Sequence, residues 1–321
     1  MAILAGIDEA GYGPILGPLV VSGVAVRVPD ERLDDSLWTI LRETITSKVS
    51  RLDGRRLAVA DSKKLFRGRN TLAPLERAAL VMLAAAGRQP KTWRGLLNVL
   101  APEVIGQFDA YPWYARTDFP LPIDDGVGDV ALHANAVRRD CKQGGVELLG
   151  VFCEPLLAGA FNRLVKNTRN KAVVLMGLAL RIVDRIMRLA PNERVRICVD
   201  RLGGRRHYRD VLMTNLPDYE LHIIEESADR SAYRLTSSSR VCDVEFAVKS
   251  EQRHFCVALA SIYSKYLREI FMHAFNEYWA RQMENIRPTA GYYTDARRWL
   301  ADAEGAIEHA GIDRSILIRN R

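Results

Sequence analysis

Two rhythms of apolar and polar positions run along the chain. Ile3 to Ile7 is a short apolar run that stops at Asp8-Glu9, and after a Gly/Pro-rich stretch a β-branched run extends from Leu19 to Val28. Apolar runs this short, bounded by turn residues, predict two neighbouring strands. From Phe66 to Gly145 the pattern loosens. A helix is expected over Leu75 to Ala86, then a loop rich in aromatics and prolines at Tyr111-Pro112-Trp113-Tyr114 and Phe119-Pro120-Leu121-Pro122, so the segment reads as an inserted subdomain. Regularity returns with Leu148 to Phe152, an amphipathic helix over Lys171 to Leu189, and a strand from Val195 to Val199 that ends at Asp200. Strand, helix, strand in that order calls for a right-handed crossover and a parallel sheet neighbour. Tyr219 to Ile224 and Val241 to Val248 read as further strands joined by a Ser-rich linker, Thr236 to Ser239. His254 to Met283 reads as one long helix, broken by Pro288 to Gly291 and followed by a shorter one near Ala296 to Ala310. The expectation is an α/β protein with a mixed central sheet flanked by helices, an inserted segment at about 67–145, and a C-terminal helical extension.

Composition narrows the classes. With 48% hydrophobic and 26% charged residues the chain is that of an ordinary globular protein, and no stretch approaches the roughly 20 apolar residues of a membrane span. Met1 to Gly6 lacks the basic lead and cleavage site of a secretory signal, so the chain reads as cytoplasmic. Cys141, Cys153, Cys198, Cys242 and Cys256 are widely spaced, without a C-x-x-C pair, and read as buried free thiols. The formal charge of +7 suits a polyanionic partner, since clustered Lys and Arg displace counterions from nucleic acid.

The candidate chemistry sits at strand ends. Asp8-Glu9 closes one apolar run and Asp200 another, where buried strands would emerge at a sheet rim. Taken singly, each acid also fits a strand that merely meets water. Together, carboxylates on one rim repel each other unless a cation neutralises them, and a set without Cys or His suits a hard ion such as Mg²⁺ or Mn²⁺. The surrounding stretch, Gly6 to Pro18, is not a dinucleotide fingerprint, because Leu16 stands where the third glycine belongs. Its four glycines and two prolines predict a tight turn whose backbone N–H groups approach a phosphate unobstructed.

Gly6-Ile7-Asp8-Glu9-Ala10-Gly11-x-Gly13-Pro14 followed by Gly17-Pro18 resembles the first motif of the ribonuclease HII family. In order, Asp61-Ser62-Lys63-Lys64-Leu65, Val195 to Asp200, Ala260-Ser261-Ile262-Tyr263-Ser264-Lys265 with Arg268-Glu269, and Gly291-Tyr292-Tyr293-Thr294-Asp295 resemble its later motifs. The likeness covers about 2–28, 60–66, 146–224 and 244–300. It implies a ribonuclease H-like fold over about 1–270, with 271–321 as the helical extension. It further implies endonucleolytic cleavage of RNA in RNA/DNA hybrids, or of ribonucleotides embedded in duplex DNA, with 5′-phosphate and 3′-hydroxyl products. By position it implies a catalytic, metal-binding set Asp8, Glu9, Asp200 and Glu269, with two ions when substrate is bound. It also implies nucleic-acid contacts at Gly11, Tyr12, Gly13, Ser62, Lys63, Lys64, Lys249, Ser261, Lys265 and Tyr292.

Two departures bear on activity. The family usually has Gly-Arg-Gly where this chain has Gly11-Tyr12-Gly13, and tyrosine lacks the charge and bidentate fork of arginine. Glu269 stands where the resemblance implies aspartate, and an i,i+4 pair with Lys265 is its other reading. These leave open two alternatives: a nuclease of the same fold acting on structured DNA, and a nucleic-acid-binding homologue with weak or lost catalysis. In the insertion, Trp93, Tyr111, Trp113 and Tyr114 lie among Arg88, Lys91, Arg94 and Arg116. They fit either a stacking surface for nucleic acid or a local core. Asp124, Asp125 and Asp129 there read as loop acids.

Overall fold

In the computed structural model, which describes residues 1–49, 55–66, 71–189, 191–238 and 240–320, the first apolar run is strand β1 (Ala2–Ala10). The β-branched run is β2 (Leu19–Val28), antiparallel to β1 from Ala2↔Val28 to Ala10↔Val20. Outside β2 lies β3 (Glu147–Leu156), also antiparallel. On the other side of β1, β4 (Arg194–Asp200) runs parallel to it, as the crossover requires. The sheet continues through β5 (Glu220–Glu226), β6 (Arg230–Thr236) and β7 (Val241–Ala247), giving the order β3-β2-β1-β4-β7-β6-β5. The architecture is therefore mixed α/β, a seven-stranded sheet flanked by helices.

Strand β6 is a correction to the sequence reading, which ran from β5 to β7 through a linker. Ser231, Ala232, Tyr233 and Leu235 are buried in β6, antiparallel to both neighbours. The Ser-rich linker joins β6 to β7 instead; its last residue, Ser239, lies outside the described residues.

Two apolar layers sandwich the sheet. One face receives α4 (Lys171–Leu189), which follows α3 (Ala158–Thr168) and buries Leu175, Ile182 and Ile186 against Ile3, Ile7, Val195 and Val199. The other receives α5 (Phe255–Gln282), buried along most of its length. Its first turn lies directly on β1: a Cβ added to Gly6 would stand 2.1 Å from the backbone nitrogen of Val257, so only glycine lets the helix come this close. From the expected insertion, α1 (Ala73–Ala85) packs against α5, and α2 (Val130–Gly144) packs against α1.

That segment shares one core with α5 rather than closing its own. Trp93 stacks between Phe108 and Phe119, each 5.3 Å away, and meets Phe271 of α5 edge-on. Trp113 contacts Phe275 and lies near Trp279. With Trp93, Tyr111, Trp113 and Tyr114 all buried, the core reading of these aromatics holds and the stacking surface does not. Truncating Trp93 to alanine would cost about 3–5 kcal/mol. Asp124 accepts from the backbone of Leu72 and Ala73, and Asp129 caps α2, so both act as loop acids.

Helix α5 runs unbroken through Ile270–Phe271, and the C-terminal segment follows as α6 (Tyr293–Asp302) and two shorter helices. All five cysteines are buried and free. No helix among the described residues is long and apolar enough to cross a membrane.

Candidate active site

β1, β4 and β7 are adjacent and parallel, so their C-terminal ends open on one rim, where α/β sheets place their ligands. Each delivers acid. Asp8 and Glu9 lie near the end of β1, and Asp200 is the last residue of β4, in register one position beyond the Ile7↔Val199 pair. After β7 the chain turns through Lys249, left-handed at φ 55°, into the 3-10 turn Ser250–Gln252 that carries Glu251. A non-glycine residue held there is strained, and the strain aims the turn back at β4. Asp200 Oδ1 accepts the Ser250 N–H at 2.9 Å.

Helix α5 supplies the third wall. Ser261, Ser264 and Lys265 fall on one helical face by their i, i+3, i+4 spacing. Ser264 donates to the Asp8 carbonyl at 2.9 Å, and Ser261 to the Ser62 hydroxyl at 2.9 Å, which fastens the Asp61-Ser62-Lys63 segment to the rim. Between these walls lies a cleft of about 520 Å³. It brings together Asp8, Glu9, Gly11, Tyr12, Gly13, Ser62, Lys63, Asp200, Lys249, Ser261, Lys265 and Tyr292.

Two expected residues are not among them. Glu269, expected as the fourth acid, does not line the cleft; its carboxylate takes the Lys265 ammonium at 2.6 Å and the Arg268 guanidinium at 3.2 Å. The i,i+4 spacing from Lys265 makes that pair local to the helix. Lys64 is exposed on the short helix Ser62–Leu65, outside the cleft. In the place of Glu269 stands Glu251, which the sequence reading missed, along with Asp61 and Arg201. The missed signal was the strand-end rule itself, because Glu251 follows β7 as Asp200 closes β4.

The cleft's electrostatics are those of a cation site. Burial, then the neighbouring Asp200 carboxylate, pushes Asp8 up to about 8, against the opposing hydrogen bonds from Ser261 and the Glu9 N–H. Burial, with Asp8 and Asp200 beside it, raises Glu9 well above the carboxylate range. Burial also raises Asp200 and, with Asp200 as the next cause, Glu251. Glu9 Oε2 is buried with no hydrogen-bond partner among the described residues. Four carboxylates on one cleft, their charged forms disfavoured by burial and, for Asp8, Glu9 and Glu251, by an acidic neighbour, and one with an orphaned oxygen, fit a hard divalent cation. Lys63, Lys249, Lys265 and Arg201 surround them.

The glycine-rich loop forms the floor. Gly11 adopts φ +85°, and a Cβ there would come within 2.6 Å of the Pro18 carbonyl and 2.8 Å of the Arg268 side chain. The Gly291 carbonyl accepts from Ile15 and Leu16, while Arg319 donates its backbone N–H to Ile15 and its Nη2 to the Tyr12 carbonyl. The Lys171 ammonium lies 4.8 Å from the centre of the Tyr12 ring, so a positive charge adjoins the position where the family resemblance implies arginine. Arg268 lies over the half-exposed ring of Tyr292 at 5.2 Å.

Fold and cleft together define a mixed-sheet protein with a carboxylate cluster beyond its parallel strands. A scan against protein-family models finds no match, and neither does a search of curated proteins. Among solved structures, the chain is similar to ribonuclease HII in its PCNA complex from Archaeoglobus fulgidus, at 18% identity over 99% of this chain and 94% of that one, with a TM-score of 0.46. It is similar to ribonuclease H2 from Pyrococcus horikoshii at 13% identity, covering 98% of this chain and 92% of that one, with a TM-score of 0.42. A Bst ribonuclease HIII in complex with Mn²⁺ matches at 18% identity over 99% of this chain and 66% of that one, with a TM-score of 0.38. Likeness at this level decides nothing by itself; the chemistry rests on the cleft.

Proposed function

We propose that the chain is a divalent-metal-dependent endonuclease of the ribonuclease H type. Its substrate would be the RNA strand of RNA/DNA hybrids or ribonucleotides embedded in duplex DNA, cut to leave 5′-phosphate and 3′-hydroxyl ends. The observation that carries this reading is the convergence of Asp8, Glu9, Asp200 and Glu251 on one cleft beyond three parallel strands, ringed by lysines. These oxygen donors suit Mg²⁺ or Mn²⁺, and a bound pair supplies activation of the attacking water and stabilisation of the leaving oxygen.

The remaining work falls to the chain. Lys63, Lys249 and Lys265 hold the phosphates flanking the scissile bond, and their charge keeps the carboxylates from repelling the backbone. The tight turn at Gly11 and Gly13 lets backbone approach a phosphate without a side chain between them. The Tyr292 ring, half exposed at the mouth, offers a stacking face for a sugar or base at the RNA–DNA junction.

The test is cleavage of four matched substrates, hybrid, single-ribonucleotide duplex, plain DNA and plain RNA, each with Mg²⁺, Mn²⁺ or chelator. Cutting confined to the two ribonucleotide-containing duplexes and dependent on metal is expected. Equal cutting of plain duplex DNA, or a rate unaffected by chelator, would overturn the assignment.

A further inference from the structure

A second group of ligating side chains lies deeper on the face of the sheet that α5 covers. Cys198 of β4 and Glu245 of β7 are register partners on adjacent parallel strands, so their side chains share that face. His254, the residue that caps α5, comes down onto the same point. One ligating atom from each of the three lies within 4.8 Å of the other two. We infer that Cys198, Glu245 and His254 form a second metal site, built for a borderline-soft ion of the zinc class and separate from the oxygen-only cleft.

The donor set discriminates. A thiolate, an imidazole and a carboxylate are the ligands zinc takes in tetrahedral sites, whereas magnesium takes oxygen alone. Arg230 donates its Nε to Glu245 Oε2 at 2.7 Å, which orients the carboxylate and leaves Oε1 turned to His254 Nε2, 3.3 Å away. A charged group that fixes a ligand from behind is what metal sites use to hold geometry. Three protein ligands leave a fourth position. A cavity of about 200 Å³, lined by Cys198 and His254, opens beside the group and gives room for a water there, while the Cys256 thiol donates to the Leu4 carbonyl at 3.6 Å. His254 is partly exposed, which provides a route for the ion. On binding, Cys198 releases its thiol proton to solvent and the resulting thiolate ligates the ion.

Placement gives the site its consequence. Glu245 and His254 bracket the segment that carries Lys249 and Glu251, and Cys198 is two residues from Asp200 on the same face of β4. An ion there ties β4, β7 and the start of α5 together and fixes the turn that delivers Glu251 to the cleft. None of this depends on what the cleft hydrolyses.

The experiment uses the full chain, stripped with chelator and titrated with Zn²⁺ or Co²⁺ alone. One zinc per chain retained through dialysis is expected, with a melting temperature raised by roughly 5 °C. Cobalt should give the absorption of a thiolate-to-metal charge transfer. Both effects should vanish in Cys198→Ser and His254→Gln and persist in Asp8→Asn and in Cys256→Ser. Cobalt bound to the wild-type chain without thiolate absorption would overturn the inference, whether or not the variants fold. Zinc stabilisation that survives Cys198→Ser but disappears in Asp8→Asn would do the same, by placing the ion in the acidic cleft.

Discussion

Asp8→Asn separates what the acid costs the fold from what it does for chemistry. The Asp8 carboxyl keeps its proton up to about pH 8 in the folded chain and releases it near 3.8 when unfolded. Between those values the unfolded state binds fewer protons, so this group makes stability fall as pH rises through the window. Of the roughly four factors of ten that separate the two proton affinities, about three have accrued by pH 7, or about 4 kcal/mol. Water reaching the open side of the cleft screens the charge, which brings the expected effect to about 2 kcal/mol. Asparagine is neutral throughout and its Oδ1 can still accept the Glu9 N–H. In chelator, urea melts should therefore show the variant more stable than wild type by about 2 kcal/mol near pH 8, with the gap closing towards pH 4. Added Mg²⁺ or Mn²⁺ should stabilise the wild type and close the gap from the other side. Cleavage should be lost while duplex binding, carried by lysines and backbone, stays close to wild type and weakens steeply with salt. A variant less stable than wild type at pH 8, or a gap that does not change with pH, would refute the electrostatic account of the cleft.

Glu251→Gln should lower single-turnover cleavage by roughly 100-fold or more, whereas Glu269→Gln should leave it within a few-fold; the reverse order in the same assay would return Glu269 to the metal set. Gly11→Ala forces a Cβ onto the Pro18 carbonyl at a positive φ, and should cost about 1–3 kcal/mol in denaturant melts and depress cleavage together. Tyr12→Arg should raise single-turnover cleavage of a one-ribonucleotide duplex more than it raises duplex affinity. Because Lys171 sits over that ring, the gain should be larger in the Tyr12→Arg, Lys171→Ala double variant. An unchanged rate in both would remove position 12 from junction recognition.

Much of the architecture was legible because its elements are apolar runs with clear ends. β1, β2, β4 and the long helices α4 and α5 stand in the sequence close to their observed bounds. Asp8, Glu9 and Asp200 were legible for the same reason, as acids that stop such runs. Glu251 was harder to see, because it does not end its strand as Asp200 does but follows β7 in a 3-10 turn reached through a left-handed lysine, so the strand-end signal is displaced from the acid itself. The helix motif drew attention to Glu269, eighteen positions further on, where Lys265 and Arg268 already neutralise it. β6 was hidden by its setting: the polar Ser227–Asp229 turn before it and the Ser-rich linker after it made a buried strand read as connection. The aromatics of the insertion fit two readings in the sequence, because basic neighbours suit a binding surface as well as the rim of a core; Phe271 and Phe275, far along the chain on α5, complete the packing that makes them core.

The floor of the cleft is tied to the far end of the chain. Asp8 and Glu9 are among the first residues of the chain, yet the loop that follows them is held by Gly291 and Arg319, the latter 307 positions from its partner Tyr12. The acids, by contrast, are fixed by the pairing of β1 with β4 and do not depend on that tie. The two parts of the cleft are therefore separable: loosening the Arg319 contacts would leave the charge cluster in its sheet while freeing the loop that presents a phosphate to it.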